Sequence, residues 1–117
     1  MQNSALKAKF EPLREIAFGD VGAFYAPVGT PSNNPIRIMR INNTLNTNIK
    51  VSFDDIDDYD FIEAGASVTY NFGANMATPA GVLEMPKGTQ VYVRYIGAMA
   101  PTSGSVDVTF IYASTRN

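Results

Sequence analysis

A period of two governs most of this chain, and it constrains the fold more than any other feature. Ile49, Val51 and Phe53 alternate with Lys50, Ser52 and Asp54. Val68, Tyr70 and Phe72 alternate with Ser67, Thr69 and Asn71, and Val106, Val108, Phe110 and Tyr112 alternate with Ser105, Asp107, Thr109 and Ile111. Successive side chains of an extended strand point to opposite faces, so each segment reads as a strand with one face on a core. Ile36–Asn42 and Thr89–Ile96 are apolar on both faces, broken by Arg37, Arg40 and Arg94. That pattern suits central strands, or strands covered by another subunit.

Turn chemistry separates these runs. Residues 27–35 (PVGTPSNNP) hold prolines and a glycine that no strand interior tolerates. Asn42–Asn48 is asparagine-rich and reads as a hairpin connection. Glu63-Ala64-Gly65 reads as a tight turn, Gly73–Gly81 as a longer loop, Pro86-Lys87-Gly88 as a β-turn, and Pro101–Gly104 as the hairpin into the last strand. About eight strands are expected, near 13–18, 22–27, 36–42, 48–54, 59–62, 66–72, 89–96 and 105–113, with an extended piece near Val82–Met85 as a candidate ninth. Ser4–Phe10 is the best helix candidate, but it is too short to persist alone and Pro12 ends it.

The pattern therefore predicts an all-β protein, an antiparallel two-sheet β-sandwich or jelly-roll-like fold, with essentially no helix. A small closed barrel is the alternative. One domain is expected over 13–113, preceded by an N-terminal arm at 1–12 and followed by a polar tail at 114–117. The expected core is Ile16, Phe18, Ile38, Ile41, Ile49, Val51, Phe53, Val68, Tyr70, Phe72, Val91, Val93, Val106, Val108 and Phe110. Burying each such side chain stabilises by roughly 1.5–3 kcal/mol, against an ordering cost of about 1–2 kcal/mol per residue.

Composition narrows the function. The 117 residues include no cysteine and no histidine, so there is no disulfide framework, no thiolate metal site, and no imidazole to act as general base or ligand. An enzyme would have to rely on carboxylates, lysine or tyrosine, and the expectation is a protein without catalytic residues, cofactor or resident metal. No window reaches the ~20 apolar residues of a membrane span, and no apolar run near the start resembles a signal peptide. Charge is uneven. Residues 1–53 carry six basic and three acidic side chains, and residues 54–63 carry six acidic and no basic ones. No dense basic face points to sequence-specific nucleic-acid binding. A positive region and a negative tip instead suit assembly with charged neighbours.

The negative tip is the segment SFDDIDDYDF at 52–61, which holds Asp54, Asp55, Asp57, Asp58 and Asp60. A calcium hand needs an oxygen ligand where Tyr59 stands, a glycine at its sixth position and a glutamate at its twelfth, so the motif fails. A non-hand calcium site would draw on Asp54, Asp57 and Asp58. The alternative is a hydrated hairpin end. There Phe53 and Phe61 point inward, Ile56 or Tyr59 folds over the tip, and the carboxylates bond turn amides and discourage wrong edge pairing. A glycosidase pair needs a dry, perturbed carboxyl, which an open loop does not offer.

The uncharged loop Ile96–Pro101 has two readings, folded back on the sheet or exposed as a contact through Met99. Phe24, Tyr25, Tyr92, Tyr95 and Tyr112 suit core edges or protein interfaces better than base or sugar stacking. The glycines of FGDVGAFY (18–25) read as a turn, because they do not lead from a strand into a phosphate-binding helix.

Three stretches taken together, IAFGDVGAFYAPVGTP, NPIRIMRINNTLNTNIKVSFDDIDDYDFIEAG and KGTQVYVRYIG followed by TSGSVDVTFIYA, resemble small virion structural proteins of tailed bacteriophages. The resemblance spans about residues 13–113 and rests on the order of strands and turns. It implies a non-enzymatic β-sandwich repeated in the particle, placed in the head-to-tail neck or collar region, or on the capsid as a decoration (cement) protein. Localisation in the virion, after assembly in the host cytoplasm, follows from it. So do partners among portal, neck, tail or capsid subunits, and homo-oligomerisation. A carbohydrate-binding sandwich for receptor recognition is the reading from another class, with Tyr92 and Tyr95 as its platform. The residues expected to touch neighbouring subunits are Lys7 and Lys9 on the arm, Asp54, Asp57 and Asp58 on the acidic tip, and Met99. Arg14, Arg37 and Arg40 are candidates for the basic patch that would receive the tip.

Overall fold

The computed structural model describes residues 6–72 and 83–114. They form β1 (Lys7–Phe10), β2 (Arg14–Ala17), β3 (Ala26–Pro27), β4 (Ile38–Asn43), β5 (Ile49–Ser52), β6 (Asp60–Ile62), β7 (Ser67–Asn71), β8 (Tyr92–Tyr95) and β9 (Ser105–Ser114), with one short 3-10 turn at Phe18–Asp20. The strands make two antiparallel sheets packed as a β-sandwich. In the larger sheet β9 lies between β4 and an edge formed by β1 and β2 in succession, and β7 closes the far side of β4. The smaller sheet runs β3-β8-β5-β6.

Period-two alternation accounts for this arrangement. Met39 and Ile41 of β4 sit opposite Phe110 and Val108 of β9 and Tyr70 and Val68 of β7, all facing inward. In the smaller sheet Val51 sits opposite Val93, and Ile49 opposite Ile62 and Tyr95. The two inner faces meet in a core of Ile16, Val21, Val28, Ile36, Met39, Ile41, Leu45, Ile49, Val51, Ile62, Val91, Val93, Val106, Val108 and Phe110. Phe53, Val68, Tyr70 and Phe72 pack against it while partly exposed.

Two side chains expected inside are not. Ile38 points to the outer face of the larger sheet, paired with Asn71 and Ile111, because Met39 takes the inward phase of β4. Phe18 is 41% exposed, since it starts the 3-10 turn that ends β2.

The connections differ from the sequence reading in one systematic way. Asn42–Asn48 and Pro101–Gly104 each carry the chain from one sheet to the other, so neither closes a hairpin. Asn43 is the reason at the first crossing. It is fully buried, and its side-chain amide donates to the carbonyls of Thr47, Ile62 and Glu63 while its oxygen accepts from the Leu45 amide. A side chain that satisfies four backbone groups replaces the ladder a hairpin would supply. At the second crossing Gly104 holds a φ of 88°, and a Cβ there would collide with the Thr44 carbonyl.

The segment expected as an arm is, over Lys7–Phe10, a strand paired to β9; residues 1–5 lie outside the described residues. The loop at 73–81 and Val82, the first residue of the candidate ninth strand, also lie outside them, and Leu83 and Glu84 belong to no strand. Met85 forms a single bridge with Ile36. Of the expected tail, Ser114 is the last residue of β9, and residues 115–117 are outside the described set.

β1 and β2 follow one edge of β9 in registers that differ by one. Phe10 lies opposite Ile111, and Arg14 opposite Val108. Three residues of the edge thus face two of β9, a β-bulge in which Pro12 has no amide to leave unpaired. The Glu11 amide still bonds the Phe110 carbonyl at 3.0 Å.

Two charges are buried at this bulge. Arg14 Nη1 meets Glu11 Oε1 at 2.9 Å, with both side chains almost wholly covered. Arg14 also donates to the carbonyls of Thr30, Pro31 and Pro12 and lies over the Phe110 ring. Glu11 accepts from the Asn33 backbone amide and the Asn34 side chain. Burial alone pushes the Glu11 carboxyl up, but the Asn33 and Asn34 donors and the Arg14 charge outweigh it and hold it below its ordinary value. Arg14 is therefore no surface cation, and the acidic tip cannot reach it.

Removing one partner of such a pair leaves a buried charge unmatched, at a cost of about 3–5 kcal/mol. Glu11→Ala is expected to lower the unfolding free energy by that amount in urea denaturation. A lowered folded-state pKa makes the contribution of Glu11 full above about pH 4.5 and lost as pH falls through the lower folded value. Glu11→Gln is accordingly expected to flatten the acid limb of the stability curve.

Candidate functional site

The aspartate segment joins β5 to β6 and folds back across the outer face of the smaller sheet. On that face Lys50 of β5 and Arg94 of β8 are direct register partners. Two cations side by side repel, and Asp58 sits between them. Its carboxylate lies 3.4 Å from Lys50 Nζ and 3.2 Å from Arg94 Nη2, and it accepts the Tyr25 hydroxyl. Arg94 also stacks 5.4 Å from the centre of the Tyr25 ring. The Tyr25 hydrogen bond above all, with Arg94 and Lys50, outweighs partial burial and holds the Asp58 carboxyl below its usual range. Partial burial and the Asp58 charge push the Tyr25 phenol up to about 12. Ser52 points outward by strand alternation yet is fully buried, because this loop covers it.

Asp54 braces the loop from within. Its Oδ1 accepts the amides of Ile56 and Asp57 at 2.9 Å each and the Ser52 hydroxyl at 2.9 Å. Its Oδ2 accepts the Tyr59 hydroxyl at 2.6 Å. The Tyr59 hydrogen bond first, and then the two amides, drive the Asp54 carboxyl far below the ordinary range. The same bond raises the Tyr59 phenol to about 12. The Tyr59 ring leans on Phe53, with centres 5.8 Å apart.

Asp60 faces inward and accepts the hydroxyl of Tyr70 from the opposite sheet, which places Phe61 outward. The expectation that Phe61 points into the core fails for this reason, and Phe61 lies 45% exposed opposite Lys50. Asp55 adopts a left-handed φ of 65°, a conformation Asp tolerates better than most residues. It turns the chain so that Ile56, 78% exposed, stands at the apex between Asp55 and Asp57.

The structure brings Asp54, Asp57 and Asp58 into one loop and gives them different roles. Asp54 holds the turn, Asp58 holds the loop to the sheet, and Asp57 is exposed at the tip. Lys7 and Lys9 lie on β1 in the other sheet, with Lys9 opposite Tyr112. Met99 is 74% exposed in its own loop. Among the described residues, no three carboxylates gather to hold a metal ion. Tyr92 and Tyr95 fall on opposite faces of β8, so they do not make one sugar-stacking platform. Sequence reading missed Tyr25, Lys50 and Arg94 as partners of Asp58. The only signal was that Lys50 and Arg94 each occupy the polar phase of a strand.

No family model matches the chain, and no curated protein matches it. Among solved structures it is similar to the Dit protein of phage SPP1, described as a paradigm of the hub adsorption apparatus in phages that infect Gram-positive hosts. The identity is 10% and the TM-score 0.37, over 92% of this chain and 49% of that one. The chain thus spans about half the length of that protein.

Asp58→Asn is expected to release the loop. Tyrosinate absorbance then shows the Tyr25 midpoint fall from about 12 toward 10.0, and proteases cut between Phe53 and Tyr59. The lowered Asp58 pKa means that in the wild type the clamp is complete above about pH 3.8 and weakens as pH falls through the lower folded value.

Proposed function

We propose that this chain is a non-enzymatic structural subunit of a tailed-phage virion, repeated in the neck or collar region where head meets tail. The observation that carries the reading is the surface of the sandwich. Phe24, Ile56, Met99, Phe10, Leu83 and Leu13 are each more than 60% exposed. Phe24 and Ile56 line one open cleft with Ala23 and Tyr25, and exposed apolar surface gathered in this way supports a protein completed by neighbours.

Several features support the same reading. The carboxylates that sequence alone would offer for chemistry are instead committed to scaffolding, with Asp54 on turn amides, Asp58 on Lys50 and Arg94, and Asp60 on Tyr70. The two cross-sheet links, Asp60 to Tyr70 and Asn43 to the Ile62 and Glu63 carbonyls, stiffen a body that would hold loops in fixed positions. The sequence likeness to small tailed-phage virion proteins supplies the particle. On this reading the protein resides in the virion, is assembled in the bacterial cytoplasm, and has portal, neck, tail or capsid subunits as partners.

Copy number in purified particles tests the reading. Quantitative mass spectrometry is expected to find about a dozen copies or fewer per particle, as a ring that closes at one vertex requires, with labelled antibody bound at the head–tail junction. Hundreds of copies spread over the shell would transfer the reading to capsid decoration. Absence from particles would overturn it.

A further inference from the structure

We infer that Glu15 and Asp107 form an acid-tightened latch on the β2 edge. A proton shared between their carboxyls draws β2 onto β9, and loss of that proton toward neutral pH loosens the strand. The latch belongs to the single subunit, whatever particle it enters.

The register brings the two carboxyls together. Glu15 of β2 lies directly opposite Asp107 of β9 on the outer face of the larger sheet. Just past the end of β2 the Phe18 amide bonds the Gly104 carbonyl at 3.1 Å. Antiparallel alternation then makes Ile16–Val106 and Arg14–Val108 hydrogen-bonded pairs, and Glu15–Asp107 a non-hydrogen-bonded one. Pairs of that second kind stand about 4.5 Å apart at Cα, with their side chains closest. Two carboxylates so placed repel and destabilise the pairing.

No cation within the subunit answers them. Ser105, the neighbouring outward residue of β9, donates its hydroxyl to Asp107 Oδ1 at 3.2 Å, and one hydroxyl proton cannot serve both carboxyls. On β4, Asn42 lies opposite Asp107 and is uncharged. Arg40 lies opposite Thr109, one outward position further along, and forms no ion pair with either carboxylate among the described residues. On its other side Glu15 borders a cavity with Gly29, Thr30 and Asn33. The charge at that cavity besides Glu15 is Arg14, which is committed to Glu11.

The sign of the pH dependence follows. The hydrogen bond to Asp107 first, and then the Asp107 charge, raise the Glu15 carboxyl above its ordinary 4.5. A carboxyl raised in the folded state keeps its proton where the unfolded chain has lost it. The latch is therefore complete below about pH 4.5 and is released as pH rises through the raised folded value. Glu11 and Asp58 act in the opposite sense, since their contributions fade on the acid side.

Amide exchange on the 15N-labelled full chain tests the latch. The amides of Ile16 and Phe18, which bond β9, are expected to be about two- to fivefold better protected at pH 5 than at pH 7, as a like-charge pair directly opposite implies. Val68 and Tyr70 on β7 are the internal reference and are expected to keep their protection. Glu15→Gln is expected to give the acid level of protection at pH 7 and to remove the pH dependence at Ile16 and Phe18. Asp107→Asn is expected to do the same, and to return the Glu15 carboxyl, followed by 13C NMR, to its ordinary midpoint. High salt at pH 7 is expected to recover part of the protection by screening the repulsion. Equal protection of Ile16 and Phe18 at both pH values, an equal change at Val68 and Tyr70, or a pH dependence that survives in both variants would overturn the latch.

Discussion

The structure depends on a single constraint at one edge of the larger sheet. β9 must pair with two consecutive segments, β1 and β2, whose registers disagree by one residue. The disagreement is absorbed at Glu11, Pro12 and Leu13, where proline removes an amide that would have gone unpaired. The buried Glu11–Arg14 pair fixes the kink and ties it to the 30–34 loop. Desolvating two charges is costly, and the cost is offset only because every polar atom of the pair has a partner. From this point the edge strand is held in both directions. Arg14 and Ile16 turn inward under the core, and Phe10 and Ala8 turn outward beside Ile111.

The aspartate loop applies the same physics at the surface. Lys50 and Arg94 would repel across neighbouring strands, so a carboxylate between them stabilises both the sheet and the loop. Screening makes each exposed pair worth little by itself. Their number and their shared acceptor convert a crowded acidic segment into a stiff projection. A loop held in this way keeps Ile56 in one place, with little ordering entropy left to lose.

Period-two alternation made the all-β sandwich legible, along with the inward phase of β5, β7 and β9. What escaped sequence reading came from side chains that act across the two sheets. Asn43 looks like turn chemistry, but its buried amide builds a crossing between sheets. Asp60 takes the inward position because the Tyr70 hydroxyl reaches it from the opposite sheet, and that reverses Phe61. Arg14 reads as a surface cation until Glu11, three residues earlier, is seen to share its burial. At the site, the hairpin that joins β5 to β6 was readable, whereas the outward turn of Phe61 and the roles of Tyr25, Lys50 and Arg94 required the register. Lys7–Phe10 carried too few residues to announce a strand, and its pairing with β9 is a tertiary effect.

The account stands on β1 being part of the sheet, since the bulge that buries Glu11 and Arg14 exists only if β1 and β2 both pair with β9. Residue-resolved amide hydrogen exchange measures this directly. The Glu11 amide, bonded to the Phe110 carbonyl at 3.0 Å, is predicted to exchange at least about a hundredfold more slowly than in an unstructured chain. The β9 amides on either side of the bulge should be slowed alongside it. Exchange of Glu11 and the β1 amides at the unstructured rate, with β4, β7 and β9 still protected, would contradict the account.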